Sequence, residues 1–427
     1  MNMRIGKIFI SGVLLLLANA IGFAKDYQEL PAILDGSMSL YDFEAVEPSI
    51  VPDSLEVVHV SYIARHGARY LTSENKVSSV EKILKKAQDS GTLTRRGKEC
   101  LELMERVRTA TAGQWGMLSP IGIAQERRLG QELADMYPGL FKKEDASLVG
   151  ISSYVPRVVE TMDNFAVPIL RANEGLTVHT SSGRCYDYLT RFFVTDKDYA
   201  DWRHDGAWKE VYNRFVEDSL PAAPARRLVG DNSGMSQKEL KKLTYNLYKV
   251  LQGLRAMSLG APTTQWMTPE EYRLCWEATN MEKYFQYTIS SLSTLPARGA
   301  LNVGLELLHQ LALVENGVRN ESPAGASLYG IFGHAETLLP IFSLLGVEKT
   351  VALPLDYDNL AKEWSDAQLT PLAANLEIVY ARSAGGALYA MMRLNGKNVS
   401  PAADGRLIVP VSELREFWLN RFAAFSH

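Results

Sequence analysis

Arg65-His66-Gly67-Ala68-Arg69-Tyr70 is the densest cluster of reactive side chains in the sequence. Two guanidiniums four residues apart flank an imidazole, and a glycine between them lets the backbone turn closely. The set suits a tetrahedral dianion. Arginine offers forked donors matched to phosphate oxygens, while histidine can attack phosphorus or shuttle a proton. A second cluster is Gly333-His334-Ala335-Glu336, where a helix N-terminus would point N–H groups at an anion. A carboxyl beside a bound phosphate has its pKa raised by the like charge, so Glu336 would keep a proton to donate. Alone, Glu336 could simply complement the dipole of a first helical turn. Next to the first cluster it reads as an acid. Arg157 is a third candidate, following Ser153-Tyr154-Val155-Pro156. A cation at a helix start opposes the dipole and points to an anion nearby; an ordinary surface arginine is the plain alternative.

These residues need elements to hold them. Leu55 to Ile63 is an almost continuous apolar run rich in valine, the pattern of a strand buried on both faces of a largely parallel sheet. The first cluster follows its carboxyl end, where ligands bind in open α/β sheets. Ser119-Pro120 caps a predicted helix over 119–137. Further strands are predicted at 148–153, 176–181 and 327–332, with helices over 156–170 and from Ala335 or Glu336 to Leu345. From about 183 to 315 helical patterns dominate, and Thr268-Pro269-Glu270-Glu271 is a capping box. A hairpin is expected around Ala384-Gly385-Gly386. The expected fold class is therefore α/β: a mostly parallel central sheet flanked by helices over 25–182 and 316–427, interrupted by a mostly helical cap at 183–315.

Composition narrows the function. The chain has 427 residues, 46% hydrophobic and 22% charged, with a net charge of −4. That is a globular composition with no basic field for nucleic acid. Arg4 and Lys7 precede an apolar run, Ile8 to Leu17, and small residues up to Ala24. Residues 1–24 read as a signal peptide, the run being short of the roughly 20 residues of a membrane span. The expectation is an exported protein, periplasmic or secreted from a bacterium, with no membrane attachment after cleavage. Three cysteines, Cys100, Cys185 and Cys275, allow one disulfide and a free thiol but imply no framework.

Other chemistries fit less well. Cys185 to Arg191 has the spacing of a cysteine-dependent phosphatase, but the residues between are bulky and include Asp187, where a phosphate-wrapping loop needs small ones. No paired metal-ligand motif, Walker loop or nucleophile elbow occurs, so no metal or cofactor is called for. His59, mid-strand, reads as a core histidine, and Trp202, Trp208, Tyr272 and Trp276 as packing.

Together these segments resemble the second branch of the histidine phosphatase superfamily, the histidine acid phosphatases and phytases. Arg65-His66-Gly67-Ala68-Arg69 matches its signature, Arg157-Val158-Val159-Glu160-Thr161-Met162 its later phosphate-binding arginine segment, and Gly122 to Gly130 its core helix. His334-Ala335-Glu336, where most members have His-Asp, is similar to the multiple inositol polyphosphate phosphatases, as are Tyr70, the segment 187–193 and the segment 371–377. Two departures stand out: three cysteines cannot supply the several disulfides common in the family, and Leu71 replaces the signature's usual proline.

The resemblance implies a phosphoglycerate-mutase-like core and a phosphomonoesterase of inositol polyphosphates, phytate and lower inositol phosphates. It makes His66 the nucleophile that forms a phosphohistidine, and Arg65, Arg69, Arg157 and His334 the phosphoryl ligands. Glu336 becomes the proton donor. Arg184, Arg191, Lys76 and Tyr70 are candidate specificity residues for so compact a polyanion. A phosphatase of smaller esters, such as bisphosphoglycerate or sugar phosphates, is the alternative. A phosphoanion-binding protein without turnover would have no need of His66 and Glu336 together.

Overall fold

The computed structural model describes residues 30–317, 326–347 and 357–426; the leader at 1–24 lies outside the described residues. The valine-rich run forms β1 (Leu55–Arg65), buried from His59 onward. Helices α1 (Asn75–Asp89) and α2 (Arg95–Thr111) follow, then α3 (Pro120–Met136), whose first turn is capped by the Ser119 hydroxyl accepting from the Gly122 N–H. Next come β2 (Ser147–Ser152), α4 (Pro156–Ala172) and β3 (Thr177–Ser182). The helical middle includes α5 (Gln237–Leu251), α6 (Pro269–Tyr287) and α7 (Leu301–Glu315). Capping boxes start α5 at Ser236 and α6 at Thr268. The chain then returns as β4 (Leu328–Gly333), α8 (Ala335–Leu345), β5 (Asn375–Ser383), β6 (Leu388–Leu394), β7 (Lys397–Val399), β8 (Val409–Pro410) and α9 (Val411–Ala423).

The strand order is β3-β2-β4-β1-β5-β6-β7, with β8 paired to β6. The sheet has two halves. β3, β2, β4 and β1 are parallel, whereas β5, β6, β7 and β8 join antiparallel through the expected hairpin. On one face α3 and α4 pack Leu133 and Phe165 against Tyr62 and Phe332. On the other, α7, α8 and α9 pack Leu311, Phe342 and Trp418 with Ile63 and Ile331.

A second core lies apart from the sheet. It gathers Leu84 of α1, Leu103 of α2 and Leu247 of α5, with Tyr272 and Trp276 of α6. Burying each such leucine contributes about 1.5–3 kcal/mol. This helical body is drawn from two stretches of chain, because α1 and α2 precede the segment read as an insertion. Conversely, Tyr284 of α6 and Leu307 of α7 join the core of the sheet. Among the described residues no helix is long and apolar enough to cross a membrane.

Candidate active site

Strand register brings the two clusters together. Arg65 pairs with Gly333 and Ser152 with Phe332, so the chain leaves β1, β4 and β2 side by side at one edge of the parallel half. Main-chain bonds continue the ladder beyond it: the His66 N–H donates to Gly333 O at 3.1 Å, and Ser153 N–H to Phe332 O at 3.1 Å. The loop after β1 is fastened to α3 and α4. Gly67 N–H donates to Thr161 Oγ1 at 3.1 Å and Ala68 N–H to Gln125 Oε1 at 2.9 Å. Gly122 allows this approach: a Cβ there would lie 2.1 Å from Ala68 O, a contact no side chain tolerates.

The geometry defines the state of His66. Its Nδ1 is 2.9 Å from Gly67 O, and a carbonyl only accepts, so Nδ1 carries the proton and Nε2 keeps its lone pair. Burial, reinforced by Arg157, Arg65, Arg69 and His334, pushes its pKa well below 6.5. The ring is therefore a free base at neutrality. His334 stands 5.6 Å away, ring centre to ring centre and edge-on, its Nε2 3.3 Å from Ser153 Oγ. Burial lowers its pKa to about 3, against the opposing pull of Glu336.

Arginines surround the imidazole. Arg65 and Arg69 are 3% and 9% exposed, a heavy desolvation cost for two cations unless an anion shares the site. Arg65 donates through one nitrogen to Ser37 O and Thr370 O, Arg69 to Tyr70 O at 3.0 Å, and Arg157 to Gly116 O at 3.3 Å. All these acceptors are neutral carbonyls, so the positive charge stays available to a ligand. The Nε–H groups of all three are buried without a protein acceptor. Burial and mutual repulsion bring the Arg69 pKa down to about 9 and that of Arg65 to about 10.

Glu336, in the first turn of α8, differs from the sequence-based expectation. Its burial raises the pKa, but His334, Lys283, its own N–H and Arg65 outweigh that and bring it to about 2. The expectation of a raised value assumed a bound phosphate. Without one, the surrounding cations decide.

These side chains line one cleft of about 400 Å³ between the sheet edge and the helical body, within the range of small-molecule sites. Lys76 of α1 and Arg191 reach it. So do residues that sequence reasoning missed: Lys249 of α5, Lys283 and Glu282 of α6, Ser37 and Asp366. Seven basic side chains face three carboxylates across the cleft. Lys76 is crowded: burial and then Arg69, Lys249 and Lys283 lower its pKa to about 7. Nothing in the pattern of α5 or α6 separates Lys249 and Lys283 from solvated lysines, since only the packing of the two bodies turns them inward.

Two specificity candidates do not reach the cleft lining. Tyr70 packs against the helical core. Arg184 is exposed, and its guanidinium lies 4.3 Å over the ring of Tyr154. Tyr154 also takes Arg191, whose guanidinium sits 4.9 Å over the ring and donates to its hydroxyl. The three cysteines are all free, Cys185 exposed and the other two buried. His59 is a core histidine, bonded to Ala326 O and Ser61 Oγ, while Trp208, Tyr272 and Trp276 are buried. Among the described residues no three His, Cys, Asp or Glu side chains converge as metal ligands would.

A sequence profile described as histidine phosphatase superfamily (branch 2) matches residues 56–386. Multiple inositol polyphosphate phosphatase 1 of Gallus gallus is 24% identical over 391 residues, spanning 85% of this chain and 80% of that protein. The crystal structure of a Bifidobacterium longum multiple inositol polyphosphate phosphatase, in complex with inositol hexasulfate, superposes with a TM-score of 0.75 at 16% identity. That match covers 90% of this chain and 96% of the other. The phytase from D. castellii gives a TM-score of 0.66 at 16% identity, covering 92% and 85%.

Proposed function

The chain belongs to branch 2 of the histidine phosphatase superfamily, and from that premise we propose that it is a phosphomonoesterase of inositol polyphosphates, phytate included. The observation that carries the chemistry is the tautomer of His66: its Nδ1–H is committed to Gly67 O, which leaves Nε2 as a nucleophile inside a ring of guanidiniums. Nε2 attacks phosphorus as the ester P–O bond breaks, giving a phosphohistidine. Arg65, Arg69, Arg157 and His334 hold the phosphoryl oxygens through the transfer, supplying the positioning and charge neutralisation on which phosphoryl transfer depends. Glu336 gives its proton to the departing alcohol. Water then attacks the phosphohistidine, the P–N bond breaks, and Glu336 recovers a proton from that water. No step calls for a metal or organic cofactor.

A polyanionic substrate explains the surplus of cations. One phosphoryl group occupies the arginine ring, and Lys76, Lys249 and Arg191 remain for the other phosphates of the inositol. That the chicken relative is an inositol polyphosphate phosphatase and the Bifidobacterium enzyme was crystallised with inositol hexasulfate supports this substrate class over smaller esters. With the apolar leader read from the sequence, the site of action is outside the bacterial cytoplasm, in the periplasm or the medium.

Phosphate release from phytate and from a panel of simple monoesters, with chelator present, tests the assignment. Acid-labile label from a phosphate-labelled ester is expected on the wild-type chain and not on His66→Ala. A His66→Ala variant that turns over near the wild-type rate would remove the nucleophile from the scheme.

A further inference from the structure

The guanidinium of Arg65 is aimed by two main-chain carbonyls that lie far apart in sequence. Ser37 O belongs to the 3₁₀ stretch Ala32–Met38, and Thr370 O follows the short helix Asp366–Leu369. The sheet bonds the chain beside Thr370, with Arg65 N–H donating to Ala374 O at 2.8 Å and Asn395 Nδ2 to Gln368 O at 2.9 Å. Asp366 ties the segments that carry both carbonyls to one point.

Asp366 is 1% exposed. Its Oδ2 accepts from the Ser37 N–H at 2.9 Å, and its Oδ1 from Trp276 Nε1 of α6 at 3.0 Å. Its own carbonyl takes the Thr370 N–H at 2.8 Å, and its N–H donates to Asn280 Oδ1 at 2.8 Å. The carboxylate thus orients the Ser37 carbonyl, while the main chain of the same residue orients that of Thr370. Lys283 is tied to the same point, with Nζ 3.4 Å from Oδ2 and bonded to Ser37 Oγ. The fit around Oδ2 is close. Gly36 sits at φ 61°, and a Cβ there would approach Oδ2 to 3.1 Å, so the turn demands glycine.

We propose that Asp366 is a positioning residue for phosphoryl transfer, holding the two carbonyls that direct Arg65 at the phosphoryl group. The arrangement solves an electrostatic problem. A carboxylate bonded directly to Arg65 would fix its direction but neutralise much of its charge. A carboxylate one hydrogen bond removed fixes the direction and leaves the forked donors for the ligand. This inference rests on the reading of Arg65 as a phosphoryl ligand.

The test is a double-mutant cycle with p-nitrophenyl phosphate, a small ester that engages the arginine ring without the outer lysines. Asp366→Asn can accept only one of the two N–H groups, and losing a charged hydrogen bond predicts a fall in kcat/KM of about ten- to a hundredfold. Because Asp366 acts through Arg65, the pair Arg65→Lys/Asp366→Asn should fall within about twofold of Arg65→Lys alone. Multiplying losses would overturn the proposal, as would an Asp366→Asn variant as active as the wild type. A merely structural Asp366 would lower thermal stability without this non-additivity. Should Asp366→Asn not fold, Trp276→Phe removes one donor to the carboxylate and takes its place in the cycle, with the same two outcomes. Failure of the underlying reading looks different: Arg65→Lys itself would then leave turnover and competitive inhibition by inorganic phosphate unchanged.

Discussion

Replacing Glu336 by glutamine keeps the shape of the side chain and removes both its proton and its charge, and the two losses push different measurements in opposite directions. In the empty site the carboxyl sits at about 2. At pH 5 only about one molecule in a thousand is then protonated, and restoring the proton costs about 4 kcal/mol. General acid catalysis therefore waits for the substrate: its phosphates take up the charge of Lys283 and Arg65, and the carboxyl rises. In Glu336→Gln, kcat for phytate should fall by about two to four orders of magnitude, the usual worth of a positioned acid. p-Nitrophenyl phosphate, whose leaving group needs little protonation, should lose far less. Inorganic phosphate should bind more tightly, because a negative charge has left the site. At an effective dielectric constant of ~20 and ~8 Å that charge is worth about 2 kcal/mol, roughly thirtyfold in the inhibition constant. Steady-state kinetics on both esters with phosphate as competitor read all three. Equal losses on the two esters, or unchanged phosphate inhibition, would refute the role.

Four further outcomes follow from the same geometry. Burial and the neighbouring arginines hold the His66 pKa well below 6.5, so kcat/KM for p-nitrophenyl phosphate should show no acid limb near pH 6.5, and a limb there would mean an ordinary imidazole. Lys76 is charged below about pH 7 and neutral above it, so KM for phytate should rise as pH passes 7, and Lys76→Met should abolish that rise. Reversing Arg191 should raise KM for phytate by about tenfold or more, a loss that shrinks in high salt, whereas Arg184→Asp should cost only a few-fold through Tyr154. Glu126 is fully buried beneath the catalytic loop with both oxygens unpartnered, and its pKa is pushed well above 4.5. A carboxyl with a raised folded pKa contributes most in acid and loses that contribution as pH climbs above its unfolded value; Glu126→Gln should raise Tm at pH 7 and flatten the decline of Tm with pH.

The candidate shell around His66 was legible because its parts are local. A valine-rich run ends in Arg65-His66, a strand ends in Gly333-His334, and Ser119-Pro120 starts a helix, each a signal carried by a few neighbouring residues. What was not legible depends on which surfaces meet. The alignment of Arg65 with Gly333 joins strands separated by more than half the chain. α1 and α2 carry so many lysines and glutamates that their stripe of Val77, Val80, Leu84 and Leu103 does not stand out. Lys249 and Lys283 line the cleft only because two separate cores come together. Arg184 occupies the junction that the chain order indicated, yet its side chain turns to Tyr154, a direction that position in the sequence does not encode.

The division of labour between the two cores bears on how such a site can be altered. His66 and Glu336 hang from adjacent strands of one sheet, so their separation is indifferent to what the helical body contains. The lysines belong to that body and could be exchanged, helix by helix, for another set of cations or for neutral residues. The exchange has one condition. Trp276 and Asn280 of α6 also grip Asp366 and the turn that steadies Arg65, so a transplanted α6 must bring an indole and a carboxamide at those two places. A graft that keeps them would retune which ester is chosen and leave the bond-breaking machinery as it was; a graft that omits them would dull both at once.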